Sequence, residues 1–169
     1  MKKTLLFHLF FLAITVVTIA QKAPKVSDIK FDSNTNYAEY ESLALQCADF
    51  ILQNNYETNS SNIDNLNAFL FMINWMTGTP DYSFTIEDKI TKICKKQSLL
   101  SSVYMAASLK YAIEHKNDKP SANDINYNGI LIFIQYCENP ENGVIIKGEM
   151  KKLITAKNEN KLKEYLKIK

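Results

Sequence analysis

From residue 37 onward, apolar positions recur every three or four residues, the spacing of one face of an α-helix. Tyr37, Tyr40, Ala44, Cys47 and Ile51, widened by Leu43 and Phe50, predict a first helix over about 37–54. A polar loop over 57–62 follows, and Ser61 with Asp64 reads as a capping box. It opens a second helix carrying Ile63, Leu66, Phe69, Leu70, Ile73 and Met76, which stops at Gly78 with Pro80 beyond. Thr85 and Asp88 begin a third, buried through Ile86, Ile90 and Ile93. Ser98 to His115 forms a fourth along Leu99, Val103, Ala106, Leu109 and Ile113, and its small Ala106-Ala107-Ser108 run lets a neighbouring helix come close.

The run Ile130-Leu131-Ile132-Phe133-Ile134 suits either a buried strand or a buried helix. Cys137 extends it at helical spacing and no second strand candidate exists to pair with it, so a helix opening at Ser121–Asp124 is expected. Glu138-Asn139-Pro140-Glu141-Asn142-Gly143 makes a turn. Ile146, Met150, Leu153 and Ile154 mark a further helical region, and Leu162, Tyr165 and Leu166 a short terminal helix. The pattern predicts an all-α, compact bundle of about five to seven helices, one domain over 36–169, after a flexible lead-in over 21–35.

The first twenty residues differ in kind. Met1-Lys2-Lys3 is followed by an apolar stretch from Leu5 to Ile19 and by small residues up to Ala20, the three-part layout of a secretory signal peptide. The stretch is shorter than the roughly twenty residues a membrane span needs. Cleavage after Ala20 is expected, with a destination in the periplasm or outside the cell. In such a compartment Cys47, Cys94 and Cys137 allow at most one internal bridge, and their spacing fits no zinc motif. Buried free thiols and a single disulfide both remain open.

Composition narrows the chemistry. The chain has 20 Lys and no Arg, so an arginine clamp on a phosphate ester is excluded. Beyond Ala20, 18 Lys face 18 Asp and Glu, and this neutral balance speaks against a nucleic-acid partner. Its four Gly form neither a P-loop nor a dinucleotide fingerprint, and Ser27-Asp28-Ile29-Lys30 lacks companion motifs. No cofactor and no metal are expected. Of two His, only His115 follows the signal, and it reads as the C-terminal end of a helix. Glu87 and Asp88 fall where a helix N-terminus favours acids. A small hydrolase using His115 or Asp81 is the enzymatic alternative; the enzyme question leans to no.

Two surfaces are the binding candidates. Trp75 to Phe84 combines the only Trp with Gly78, Pro80, Asp81 and Tyr82, and aromatics on a rigid turn suit a binding surface. Its candidate residues are Trp75, Thr79, Pro80, Asp81 and Tyr82. The other is the basic end, where residues 147–169 carry eight Lys against three Glu. Lys151 and Lys152 there could meet an anionic membrane surface or an acidic partner.

The Ile19-Ala20-Gln21 signal end, the Asn- and Lys-rich composition and the Trp75–Phe84 segment resemble small exported helical proteins of flavobacteria that are uncharacterised. This resemblance implies export and brings no catalytic residue. Ala44-Leu45-Gln46-Cys47, the helix end at Trp75–Gly78 and the stretch from Phe133 to Glu141 resemble secreted immunity proteins of the Rap1a/Tai type. That family neutralises toxins delivered into neighbouring cells. The chain departs from it in lacking a Cys near Gly78 and one at its C-terminus. The expected function is a non-enzymatic binding or interaction module whose partner is another exported or envelope protein. The alternative is an immunity protein that neutralises a secreted toxin.

Overall fold

A computed structural model of the chain describes residues 22–168, the side chain of Ser60 excepted. The expected signal peptide, residues 1–20, lies outside them. Among the described residues eight α-helices follow in order: α1 (Glu41–Gln53), α2 (Tyr56–Ser61), α3 (Ile63–Gly78), α4 (Asp88–Cys94), α5 (Leu100–Glu114), α6 (Ala122–Glu138), α7 (Glu149–Asn158) and α8 (Leu162–Leu166). Short 3₁₀ turns occupy Tyr37–Tyr40, Lys116–Asp118 and Pro140–Asn142. The fold is all-α, and among the described residues no strand occurs and no helix is long and apolar enough to cross a membrane.

Helix α5 is the centre. It is apolar or small on nearly every side, and α1 and α6 flank it. The close approach that its small residues permit is made by α6 at Gly129. A Cβ built there would stand 2.8 Å from the Cα of Ser108, so only glycine fits this crossing. The continuous Ile130–Ile134 run is helical and lies within α6, with Ile130, Phe133 and Ile134 buried.

The lead-in is without helix, yet it is packed. Val26 is buried, and the Phe31 ring lies 5.3 Å from Tyr37 and 5.1 Å from Phe71, centre to centre. Three local expectations need correction. Residues 57–62 are largely helical, because the Asn55 side chain accepts from Thr58 N at 2.8 Å and caps α2. The cap of α3 is Asn62, which accepts from Asp64 N at 2.8 Å, in place of Ser61. Ile86 and Ile146, expected inside, lie exposed in the segments leading to α4 and α7, where no helix holds them against the core.

The cap of α6 matches expectation: Ser121 and Asp124 form a reciprocal capping box. These hydrogen bonds from the Ser121 hydroxyl and backbone N–H hold the Asp124 carboxyl below its ordinary range. Ser121→Ala is expected to cost about 1 kcal/mol of stability. A carboxyl whose folded value is lowered stabilises above its unfolded value and loses that effect as pH falls through the folded one. The gap between wild type and Ser121→Ala should therefore be steady near neutrality and narrow as pH falls below about 4, leaving the part due to the neutral Asp124 N–H to Ser121 Oγ bond. Urea midpoints taken across that range check it.

The three thiols are free: Cys47 and Cys137 are buried, Cys94 half-buried. Burial pushes Cys47 up to about 12 and Cys94 up to about 11, which leaves both protonated and unreactive at neutral pH.

Candidate functional site

The turn after α3 divides its residues between core and surface. Trp75 is buried, with its Nε1–H donating to the Tyr37 carbonyl at 2.8 Å and its ring 5.9 Å from that of Tyr82. Thr79 is buried too, whereas Pro80 and Asp81 are exposed and Tyr82 is half-buried. The indole is thus a pillar beneath the turn and is not available to a partner. Gly78 serves here by close approach, since an added Cβ would meet the Tyr37 ring at 2.0 Å. Its backbone is not left-handed, unlike the reading that a helix-ending glycine invites.

Asp81 and Tyr82 border an open cleft of about 500 Å³ with Glu41 and Lys116. Three of the polar groups there pair through Glu41. Lys116 Nζ pairs with Glu41 at 2.6 Å, and the Tyr82 hydroxyl donates to Glu41 at 3.2 Å. Burial and the Glu41 carboxylate push the Tyr82 phenol above its usual value, away from proton transfer at neutral pH. His115 stands apart from this cleft: its ring stacks on Tyr111 at 4.1 Å and its Nδ1 bonds the Tyr111 carbonyl at 3.0 Å. It caps α5.

Lys151 and Lys152 border a separate cavity of about 620 Å³ between α7 and α8, with Thr155, Lys161, Glu164 and Tyr165. Much of the positive charge around it is paired. Lys89 and Lys152 both lie 3.5 Å from Glu149, which also accepts from the Tyr165 hydroxyl, and Lys161 lies 3.0 Å from Glu159. These contacts, led by the Tyr165 hydroxyl, hold Glu149 below the usual carboxylate range. Lys151 and Lys152 themselves are exposed. The two sequence-predicted groups line different cavities.

A third surface escaped the sequence reading. Helix α3 turns Ala68, Phe71, Met72 and Trp75 into the core and leaves Ile63, Leu66 and Leu70 at 64%, 49% and 50% exposure. The choice of face has a polar cause. Asn65 is buried at the start of α3, where its Oδ1 accepts from Asn54 at 3.1 Å and its Nδ2 donates to Thr58 O at 3.4 Å. That network, with the Trp75 hydrogen bond at the other end, fixes the rotation of a helix apolar almost all round.

Beside the exposed face opens a cavity of about 420 Å³, walled by α3, α2 and the start of α5. Leu66, Phe69 and Leu99 give it an apolar side, Asn59 and Ser102 a polar one, and no charged residue lines it. Asn59 is buried, and its Nδ2 reaches the carbonyls of Ile51 and Asn54 and the Tyr136 hydroxyl at 3.1–3.2 Å. Its Oδ1 is buried without a hydrogen-bond partner. The hydrophobic-moment logic that found the helix could not find this site, because the signal is a surplus of apolar residues on α3 beyond what one face buries. Six consecutive ones, Ala68 to Ile73, were the visible trace.

Among the described residues, no group of three His, Cys, Asp or Glu side chains could hold a metal ion. No protein-family model, curated protein or solved structure significantly matches the chain.

Proposed function

We propose that this chain is a non-enzymatic binding module of the periplasm or cell exterior, and that it engages another exported or envelope protein through the outer face of α3. The observation that carries the reading is the set Ile63, Leu66 and Leu70, at least about half exposed on one helix face and flanking an uncharged cavity. Scattered surface apolar residues are ordinary, but a row of large ones beside a concavity is typical of interaction sites. The export expected of the first twenty residues sets the compartment of the partner. An immunity protein is the special case in which that partner is a toxin.

The test is capture from envelope and culture-fluid proteins of the source organism, with wild-type bait beside Leu66→Asp. The substitution lies at a half-exposed position, so stability should stay within about 0.5 kcal/mol of wild type. A stoichiometric partner held by wild type should fall at least about tenfold with Leu66→Asp, since a charge placed in an apolar interface is left unpaired. Undiminished capture by Leu66→Asp and by Leu70→Asp would remove α3 as the interface.

A further inference from the structure

Two segments far apart in sequence meet on the surface where α4 ends and α7 begins. The buried Gln97 side chain clamps them together: its Nε2 donates to the Ile145 carbonyl at 3.0 Å, and its Oε1 accepts from the Ile145 N–H at 3.3 Å. One residue earlier, Lys96 Nζ lies 3.9 Å from where a Cβ on Gly148 would stand. The clamped stretch is neither helix nor strand and holds Ile145 and Ile146 outside the core, at 58% and 43% exposure. Lys151 follows one turn beyond Gly148 and lines the same cavity.

The charge on this strip is unopposed. Lys95, Lys96, Lys147 and Lys151 are exposed, and among the described residues no carboxylate pairs with them. Glu149, the one acid between residues 142 and 158, is already held by Lys89, Lys152 and the Tyr165 hydroxyl. Asp88 opens α4, two turns away from Lys95. Elsewhere the sign reverses, since residues 31–86 hold seven acids and no lysine. They include α1 and α3, which pack on α5 and on each other, whereas α7 packs on α4 and α8.

Exposed lysines alone make an ordinary solvated surface. The two adjacent isoleucines among them set this one apart, because a purely charged partner leaves that aliphatic area in water. An anionic bilayer meets both demands at once, with phosphates at the level of the lysine heads and acyl chains just beneath for the aliphatic groups. We propose that this strip docks on an anionic phospholipid bilayer, Ile145 and Ile146 entering the interface between Lys95, Lys96, Lys147 and Lys151. The same surface repels the acidic α1 and α3 region, which favours one orientation of the molecule. None of these residues belongs to the outer face of α3, so the two surfaces are tested apart.

The experiment is co-sedimentation of the processed protein with vesicles of phosphatidylcholine alone and of an equal mixture of phosphatidylcholine and phosphatidylglycerol. Partition into the mixed vesicles should exceed that into neutral ones at least about tenfold, and should fall as salt rises. Lys96→Gln and Lys151→Gln should each weaken it about fivefold, the share of one lysine near a charged membrane. Ile145→Ser and Ile146→Ser should each weaken it about tenfold through lost apolar insertion. Lys119→Gln makes the same change of net charge outside the strip and should have no effect. All five positions are exposed, and the circular dichroism of each variant should match wild type. No preference for the anionic vesicles, or a loss with Lys119→Gln equal to that with Lys96→Gln, would overturn the strip as the docking surface. Partition indifferent to both isoleucine substitutions would overturn the lipid assignment; displacement by soluble poly-glutamate would then make an acidic polypeptide the occupant.

Discussion

Trp75→Ala is expected to lower stability by about 3–5 kcal/mol, the range for truncating a large buried aromatic side chain. The side chain is 1% exposed, and it joins the last turn of α3 to the turn before α1 through its bond to the Tyr37 carbonyl. Truncation leaves a cavity under the Thr79–Tyr82 turn and strands that carbonyl. Since a domain has only about 5–15 kcal/mol in total, the variant should be marginal at 37 °C. Trp75→Phe keeps most of the apolar volume but loses the N–H, and should cost less than half as much. Urea unfolding with an unchanged slope and a shifted midpoint is the readout. Asp81→Lys, on the same turn but exposed, should leave the midpoint within about 0.5 kcal/mol of wild type. A wild-type midpoint for Trp75→Ala would contradict the placement of the indole in the core. Loss of partner capture by this variant would report unfolding, so it says nothing about binding at the turn.

Gly129→Ala is the second large effect, and its sign runs against local propensity. In an exposed helix interior alanine is better than glycine by about 1 kcal/mol. Here the added carbon would lie 2.5 Å from the Ser108 Oγ and 2.8 Å from its Cα. The hydroxyl can rotate away, but the backbone cannot, so α5 and α6 must part along a tightly packed crossing. The expected net cost is about 1–3 kcal/mol, the usual range for overpacking. Ser108→Gly in the same chain should recover part of the loss, giving a double-mutant coupling above about 0.5 kcal/mol. Additivity of the two substitutions would mean the crossing is looser than described.

Much of the architecture is legible from the chain because apolar spacing and punctuation agree along it. Ser121 with Asp124, Gly78 before Pro80 and the small Ala106–Ser108 run each predicted a feature that folds as read. The rotation of α3 was not legible. Its residues 63–76 offer two overlapping apolar faces, and the face with Ile63, Leu66 and Leu70 is the more hydrophobic by inspection. What decides between them is tertiary: Asn65 finds partners on Asn54 and Thr58, and Trp75 finds one on Tyr37. Neither pairing has a local signature. The same reason explains why a turn rich in aromatic residues looked like a binding surface. An indole that serves as a pillar and one offered to a partner are identical in sequence, and only the Tyr37 carbonyl, 38 positions earlier, distinguishes them.

The candidate site was hidden for a related cause. Asn59 lies in a segment whose polarity suggested a loop, while the Asn55 cap makes it a helix and carries Asn59 inward against Tyr136. A lone buried asparagine acquires meaning only once its neighbours are known.

On the proposed function, protein partners meet this protein on the outer face of α3 and not at the Trp75–Tyr82 turn or the basic end. Site-specific photo-crosslinking in the source organism tests it most directly, with a photoreactive residue placed in turn at positions 66, 81 and 152, all on the surface. A discrete adduct of defined mass from position 66, with none from 81 or 152, is the predicted result. Adducts from 81 or 152 with none from 66 would contradict it.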